Sequence, residues 1–177
     1  MKHLENDKIV LRALEPEDLE TLYRWENDTE IWRHGSTLTP YSRFALRDYL
    51  NNSLTQDIFQ SHQLRLVIVS KENRNCLGTI DLYDFDPIHS RAGIGILIDK
   101  NYRRQNIGLQ ALELMKNYAS AILNLQQLYA YISTSNEASY RLFIKSGFSE
   151  SGLLKDWVKT DNGFEDALIL QGILLKR

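Results

Sequence analysis

The order of apolar patterns along the chain predicts a mixed α/β (α+β) fold on one sheet, in the order β-α-α-β-β-β-α-β-α-β-β. Three observations carry this expectation. Three strand-like runs, QLRLVIVS, CLGTIDLYDF and RAGIGILID, follow one another between Gln63 and Asp99 and read as an antiparallel meander. A loop, an amphipathic helix and a further strand come next, forming a strand–helix–strand unit. Two last strand-like segments flank Asp161-Asn162-Gly163, a tight-turn sequence that predicts a closing hairpin.

The elements follow in order. KIVLRAL (Lys8 to Leu14) alternates and is read as the first strand. Pro16 stands near the start of a helix that carries Leu19, Leu22, Tyr23 and Ile31 at helical spacing. Thr39-Pro40 opens a second helix through about Leu50, with Phe44, Leu46 and Leu50 as its apolar positions. KENRN is the turn between the first two strands of the meander. Leu109 to Leu123 reads as a helix whose face carries Leu109, Leu112, Met115, Ala119 and Ile122. A strand at Gln126 to Thr134 precedes a helix from Glu137 to Ser146, capped by Asn136 and ended by Gly147 in a left-handed conformation.

With 177 residues, no linker-like segment and no repeat, the chain is expected to form one domain, 1–177. A net charge of -2 gives no electrostatic footprint for nucleic acid or an anionic membrane, and neither partner is expected. No stretch offers eighteen consecutive apolar residues and the first ten residues hold no apolar leader, so a cytoplasmic protein is expected. Cys76 is the only cysteine, which fits a reducing compartment. The four histidines are scattered and give no metal-ligand spacing, so no metal is expected. No Gly-x-Ser-x-Gly elbow is present, which argues against a serine hydrolase.

The informative junction is NYRRQNIGLQAL, Asn101 to Leu112, where a basic loop runs into a helix. A helix N-terminus presents unpaired N–H groups and a partial positive charge, so it favours anions. Arg103 and Arg104 add forked donors, which makes phosphate or pyrophosphate the favoured occupant. Asn106 is the non-glycine residue best suited to a left-handed turn, and Gly108 permits a close backbone approach. The bland alternative is a plain strand–helix connection with two solvated arginines.

This segment resembles the acetyl-CoA loop of the GNAT N-acyltransferase superfamily, Arg/Gln-x-x-Gly-x-Gly/Ala. Arg103 stands at its first position, Asn106 replaces its first glycine and Gly108 supplies the last. NEASYRLFIKSGF (Asn136 to Phe148) resembles the superfamily's Asn-x-x-(Ser/Ala)-x-x-Leu-Tyr-x-x-x-Gly-Phe, and TDNGFEDALIL resembles its closing hairpin. The similarity spans about Ile9 to Leu174. GTIDLYDFDPIHSRAGIGILI and ILNLQQLYAYI are most similar to the spermidine/diamine acetyltransferases, then to the ribosomal-protein and N-terminal alanine acetyltransferases. The resemblance implies acetyl-CoA as co-substrate. It implies that the backbone of Ile96, Leu97 and Ile98 pairs with the pantetheine arm, and that Arg103, Arg104, Gln105, Asn106, Ile107, Gly108 and Leu109 hold the pyrophosphate. Asn136 would hydrogen-bond the arm and Phe143 would lie near the thioester sulfur. The fold commonly dimerises and the polyamine enzymes form larger rings, so a homo-oligomer is expected.

Acetyl transfer to an amine needs an oxyanion donor, a neutral amine and a proton for the departing thiolate. A backbone N–H around Leu97 is the expected oxyanion donor. The usual acid of the family falls at Phe143, which cannot donate; Ser139 and Tyr140 lie near the same helix face and are the substitutes, Ser139 first. Asp81 and Glu26 are candidates for the base, and Glu26, Asp81, Asp84 and Trp157 for acceptor binding. Alternation turns Asp81 away from Asp84 and Asp86 unless a bulge intervenes. The acidic pair that precedes a Pro-Tyr in the polyamine enzymes has no counterpart in HGSTLTPY (His34 to Tyr41). The expected activity is acetyl transfer to a primary amine in a ternary complex, a polyamine or diamine before a protein N-terminus. A catalytically weak acyl-CoA-binding module is the alternative, because of Phe143.

Overall fold

The computed structural model describes residues 3–32 and 39–174. Seven strands form one mixed sheet in the order β1-β2-β3-β4-β5-β7-β6. They are β1 (Ile9–Ala13), β2 (Leu64–Ser70), β3 (Cys76–Asp86), β4 (Arg91–Ile98), β5 (Gln127–Ser133), β6 (Ser149–Thr160) and β7 (Gly163–Ile173). Every neighbouring pair is antiparallel except β4 and β5, which run parallel across the crossover helix α5 (Ile107–Ala121). The predicted fold class and the eleven main elements are all present.

Helices cover both faces of the sheet. On one face α5 and α6 (Glu137–Lys145) pack over Ile80, Leu82, Ile94, Leu128, Ala130 and Ile132, with Leu112, Met115 and Phe143 at the centre. On the other, α1 (Leu19–Glu26) and α3 (Arg43–Thr55) bury Leu22, Trp25 and Leu50 against Leu14, Val67 and Val69. Alternation along each strand sorts residues between the two faces, so Ile94, Ile96 and Ile98 look toward α5 while Leu97 looks toward α1.

Some boundaries differ from expectation for local reasons. The first predicted helix breaks after Glu26, and Ile31 belongs to a separate single turn, α2 (Thr29–Trp32). The helix expected from Thr39 starts at Arg43, because Ser42 accepts the Ala45 N–H and caps it there (3.1 Å). Phe44 on that helix is exposed rather than core. A further turn, α4 (Ile58–Ser61), carries a capping box from Asp57 and Gln60 that the periodicity did not mark. Ile122, placed on the buried face of the crossover helix, lies beyond its end and is half exposed. Positions 34–38 of the HGSTLTPY stretch lie outside the described residues. Among the described residues, no helix is long and apolar enough to cross a membrane.

Candidate active site

The site begins where the sheet comes apart. β4 and β5 pair at Arg91–Gln127, Ala92–Leu128 and Gly93–Tyr129 and then diverge. A cavity of about 130 Å³ opens between them, bounded by Gly95, Ile96, Tyr131, Ser133, Asn136, Ser139 and Phe143. A larger hollow of about 390 Å³ lies behind α5, against Lys116, Asn117, Ser120 and the end of β7. It contains none of the residues that the sequence singles out.

Strand geometry decides which backbone groups face this cleft. The Asp99 N–H bonds the Leu77 carbonyl (2.9 Å), and the register runs unbroken from Gly78–Ile98 to Tyr83–Gly93. Antiparallel alternation therefore turns the N–H and C=O of Leu97, Gly95 and Gly93 toward β3, and those of Ile94, Ile96 and Ile98 toward the cleft. The Leu97 carbonyl lies where a Cβ on Gly78 would stand. This corrects one sequence expectation: Leu97 does not present its N–H to the cleft, and its neighbours Ile96 and Ile98 do. From the opposite wall, the Thr134–Asp166 pair fixes the alternation that turns Tyr129, Tyr131 and Ser133 toward β4.

The basic loop closes the open end of the cleft. Asp99 caps a 3₁₀ turn, Lys100–Tyr102, by accepting the Asn101 N–H (3.0 Å). Arg103 folds back so that its Nε donates to the Ile98 carbonyl (3.1 Å). Asn106 adopts the left-handed conformation expected of it, with φ 63°, and so does Arg104, with φ 62°. The Asn106 side chain makes no capping bond to α5, so the first-turn N–H groups of Ile107, Gly108 and Leu109 keep no side-chain acceptor from their cap. Gln105 is exposed beside them. At Gly108 the missing Cβ also makes room for Leu142 of α6, whose Cδ2 lies 3.0 Å from the Cβ position.

On the third side is α6. Asn136 caps it, with Oδ1 accepting the Ser139 N–H (3.2 Å), and the amide nitrogen of that side chain is left for another acceptor. Phe143 reaches the cavity but is 2% exposed and packs edge-to-face on Phe148, with centroids 5.0 Å apart. Ser139 lines the cavity beside it. Tyr140 does not, because its hydroxyl donates to Glu150 of β6 (2.6 Å), which holds it outside the cleft. Of the two substitutes for the missing tyrosine, the fold brings only Ser139 to the cavity.

The face toward α1 holds the acidic candidates, and the sequence did not reveal what organises them. Arg65 on β2 grips Asp81 through Nε and Nη2 (2.8 and 2.9 Å) and Glu26 through Nη1 (2.6 Å). Burial works against the Arg65 charge, yet Asp81 and Glu26 together drive its pKa far above the ordinary value. Asp81 and Glu26 are therefore partners of one guanidinium and not free carboxylates. The signal for this was Arg65 itself, a charge inside an otherwise apolar strand. A bulge between Tyr83 and Asp86, with Asp84 at φ 48°, swings Asp84 toward Tyr129, whose pKa is raised by burial and next by the Asp84 charge. Tyr83, Tyr129, Tyr131 and Trp157 then run as a connected row of aromatic contacts, with centroids 6.1, 5.6 and 6.4 Å apart. Trp157 projects from a second bulge, between Leu154 and Val158 of β6.

A mixed sheet that splays between two parallel strands, with a helix N-terminus at the open end, defines a class of acyl-transfer proteins. Residues 8–149 match the acetyltransferase (GNAT) domain, and the chain belongs to that family of N-acetyltransferases. It is 26% identical over 175 residues to the spermidine N(1)-acetyltransferase of Vibrio cholerae, covering 97% of this chain and 98% of that one. To the Escherichia coli (strain K12) spermidine N(1)-acetyltransferase it is 27% identical over 146 residues, 82% of this chain and 75% of that one. The crystal structure of the Vibrio cholerae enzyme in complex with CoA and spermine superposes with a TM-score of 0.87 at 22% identity, covering 96% of this chain and 97% of that one.

Proposed function

We propose that this chain transfers an acetyl group from acetyl-CoA directly to a primary amine, favouring a polyamine or diamine over a protein N-terminus. The observation that carries the reading is the cleft between β4 and β5 with the unsatisfied start of α5 at its mouth. The donors present suit the parts of acetyl-CoA. Arg103, Arg104 and the N–H groups of residues 106–109 suit a pyrophosphate. The cleft-facing N–H and C=O groups of Ile96 and Ile98, with the Asn136 amide, suit an amide-bearing arm lying as an added strand. The thioester then comes to rest near the apex, beside Phe143 and Ser139, where a cleft-facing N–H of β4 stabilises the oxyanion.

The amine approaches from the α1 face. Tyr131 and Trp157 offer aromatic surface to an alkylammonium chain, and Asp84 lies near Tyr129, the next ring in the row. The Arg65–Asp81–Glu26 group carries a net charge of -1, which favours a cation over an anion nearby. The names of the spermidine-acetylating relatives support a polyamine. The reading treats residues 1–177 as one domain that works as a homo-oligomer, a dimer or larger; a Vibrio cholerae relative is described as dodecameric. It places the protein in the cytoplasm and requires no metal.

The test is thiol release from acetyl-CoA over a panel of spermidine, putrescine, an aminoglycoside and an Ala-initiated peptide. Turnover is expected with the polyamines. Arg103→Ala is expected to weaken acetyl-CoA binding roughly tenfold, the scale of one lost charge-assisted contact. Binding without turnover on any amine defeats the enzymatic reading, and unchanged affinity in Arg103→Ala defeats the cofactor assignment.

A further inference from the structure

Tyr83 occupies an unusual place. It sits on β3, one strand away from the cleft, yet its ring lies flat across β4. A Cβ on Gly93 would collide with ring atoms Cε2, Cζ and Cδ2, and a Cβ on Gly95 would lie 3.9 Å from Cε1 on the same path. The two glycines, spaced by two on one strand face, are the track over which the phenol passes. The far end of the ring reaches toward β5, where it meets the Tyr129 ring and comes near enough to the Tyr131 backbone for that amide to favour the phenolate. Gly93–Tyr129 is the last β4–β5 pair, and the Tyr131 N–H is the next donor a continued ladder would have used. The phenol thus lies beside the point where β4 and β5 part, behind Gly95 and Tyr131, which bound the cavity that Tyr83 itself does not line.

We propose that Tyr83 is the proton donor of acetyl transfer in this protein, doing from the α1 face what Phe143 cannot do from α6. The inference rests on the acetyltransferase reading above. As the tetrahedral intermediate collapses, the carbon–sulfur bond breaks and its electron pair leaves on the sulfur of CoA. The phenol O–H then breaks, its proton passes to that sulfur, and free CoA thiol and phenolate result. The phenolate recovers a proton from the newly formed acylated ammonium as that becomes the neutral amide. The Tyr131 N–H steadies the phenolate in between. Tyr83, like any phenol, is in its donor form at neutral pH; burial, and next the nearby Tyr129, raise its pKa further and make it a weaker acid until the site is filled. Ser139 is a weaker rival, because an aliphatic hydroxyl is a far poorer acid than a phenol.

The experiment compares wild type, Tyr83→Phe, Gly93→Ala and the double variant Tyr83→Phe/Phe143→Tyr, with acetyl-CoA and the amine that wild type turns over best. Tyr83→Phe keeps the ring on the glycine track and is expected to melt near wild type. Its kcat is expected to fall roughly 10²-fold or more, with KM for acetyl-CoA within about threefold. Phe143→Tyr is expected to restore part of the loss in the double variant. Gly93→Ala pushes the phenol aside without removing it, and is expected to lose kcat as well. An active wild type with Tyr83→Phe kcat within about threefold overturns the role of Tyr83 and leaves the acetyltransferase reading standing. A wild type that acetylates no amine overturns that reading instead.

Discussion

Replacing Arg65 with methionine tests the acceptor face most directly, because one guanidinium holds two carboxylates there. Three charged hydrogen bonds disappear, two to Asp81 and one to Glu26. Removing one partner from a fully buried pair costs about 3–5 kcal/mol, whereas an exposed pair is worth ~1 or less. The side chains of Arg65, Glu26 and Asp81 are 19%, 22% and 19% exposed, close to the buried limit but still reached by water. An expected loss of about 2 kcal/mol lies between the two limits. The stem of methionine retains most of the packing, so the loss is electrostatic.

The partner variant behaves differently. Asp81→Asn leaves Arg65 paired with Glu26 and strands no charge, so about 1 kcal/mol is expected. The two losses are not additive: with Arg65 absent, Asp81 repels Glu26, and its neutralisation relieves the remaining site. Urea unfolding at constant m-value measures each term. The same variants report on the acceptor, since Arg65→Met exposes two unmatched carboxylates to a cationic amine. KM for that amine is expected to fall while KM for acetyl-CoA holds. A loss under about 0.5 kcal/mol, or strict additivity of the two variants, refutes the description of the group as one coupled unit.

Two other substitutions probe the loop. Asn106→Gly is expected to change stability by only a few tenths of a kcal/mol, whereas Asn106→Ala is expected to cost about 1, because an alanine in the left-handed region meets its own carbonyl; acetyl-CoA Kd, measured by calorimetry, should follow the same order. Asp99 predicts a pH dependence. Burial pushes its pKa up, but bonds from the Asn101 N–H and the Trp25 indole, with the charge of Arg24, outweigh that and hold it below the ordinary value. A depressed folded-state pKa gives stability that is present above the unfolded value near ~3.9 and lost as pH falls through the folded one. The stability gap between wild type and Asp99→Ala is therefore expected to be full at neutral pH and to shrink only in acid; a gap that narrows between pH 7 and pH 5 contradicts the assignment.

What could be read in the sequence was local. The left-handed Asn106, the Asn136 cap and Gly147 at φ 86° follow from residue type and position, and each is found. The misses are contacts between residues distant in the chain. Arg65 meets Glu26 across 39 positions and Asp81 across 16, so no spacing announces the group. Tyr140 sits on the helix where expected, but Glu150 of the next strand claims its hydroxyl. The contact of Gly108 with Leu142 of another helix had no mark in the sequence either. Leu97 failed for a subtler reason: side-chain alternation is visible in a sequence, but the direction of an N–H also needs the register of the neighbouring strand.

That register has a consequence for how the two substrate sites communicate. Side chains of β4 divide between α5 and α1, so under the proposed function donor and acceptor would occupy opposite faces and meet through the gap that β4 and β5 leave. Residues common to both faces must then lie at the ends of β4. At its C-terminal end, Asp99 accepts from the Trp25 indole and from Arg24 of the acceptor-side helix with one oxygen (2.8 and 3.4 Å). Its other oxygen accepts the Asn101 N–H and side-chain amide (both 3.0 Å), which begins the loop toward α5. A single buried carboxylate thus ties the position of α1 to the start of the pyrophosphate loop. If that tie transmits binding, the two substrates must influence each other by the same factor in both directions. Asp99→Asn keeps the size but sets an amide donor against the indole or the Asn101 amide, and should reduce that mutual factor toward one. Amine affinity measured with and without CoA gives the factor, and an unchanged value in Asp99→Asn would confine Asp99 to a structural role.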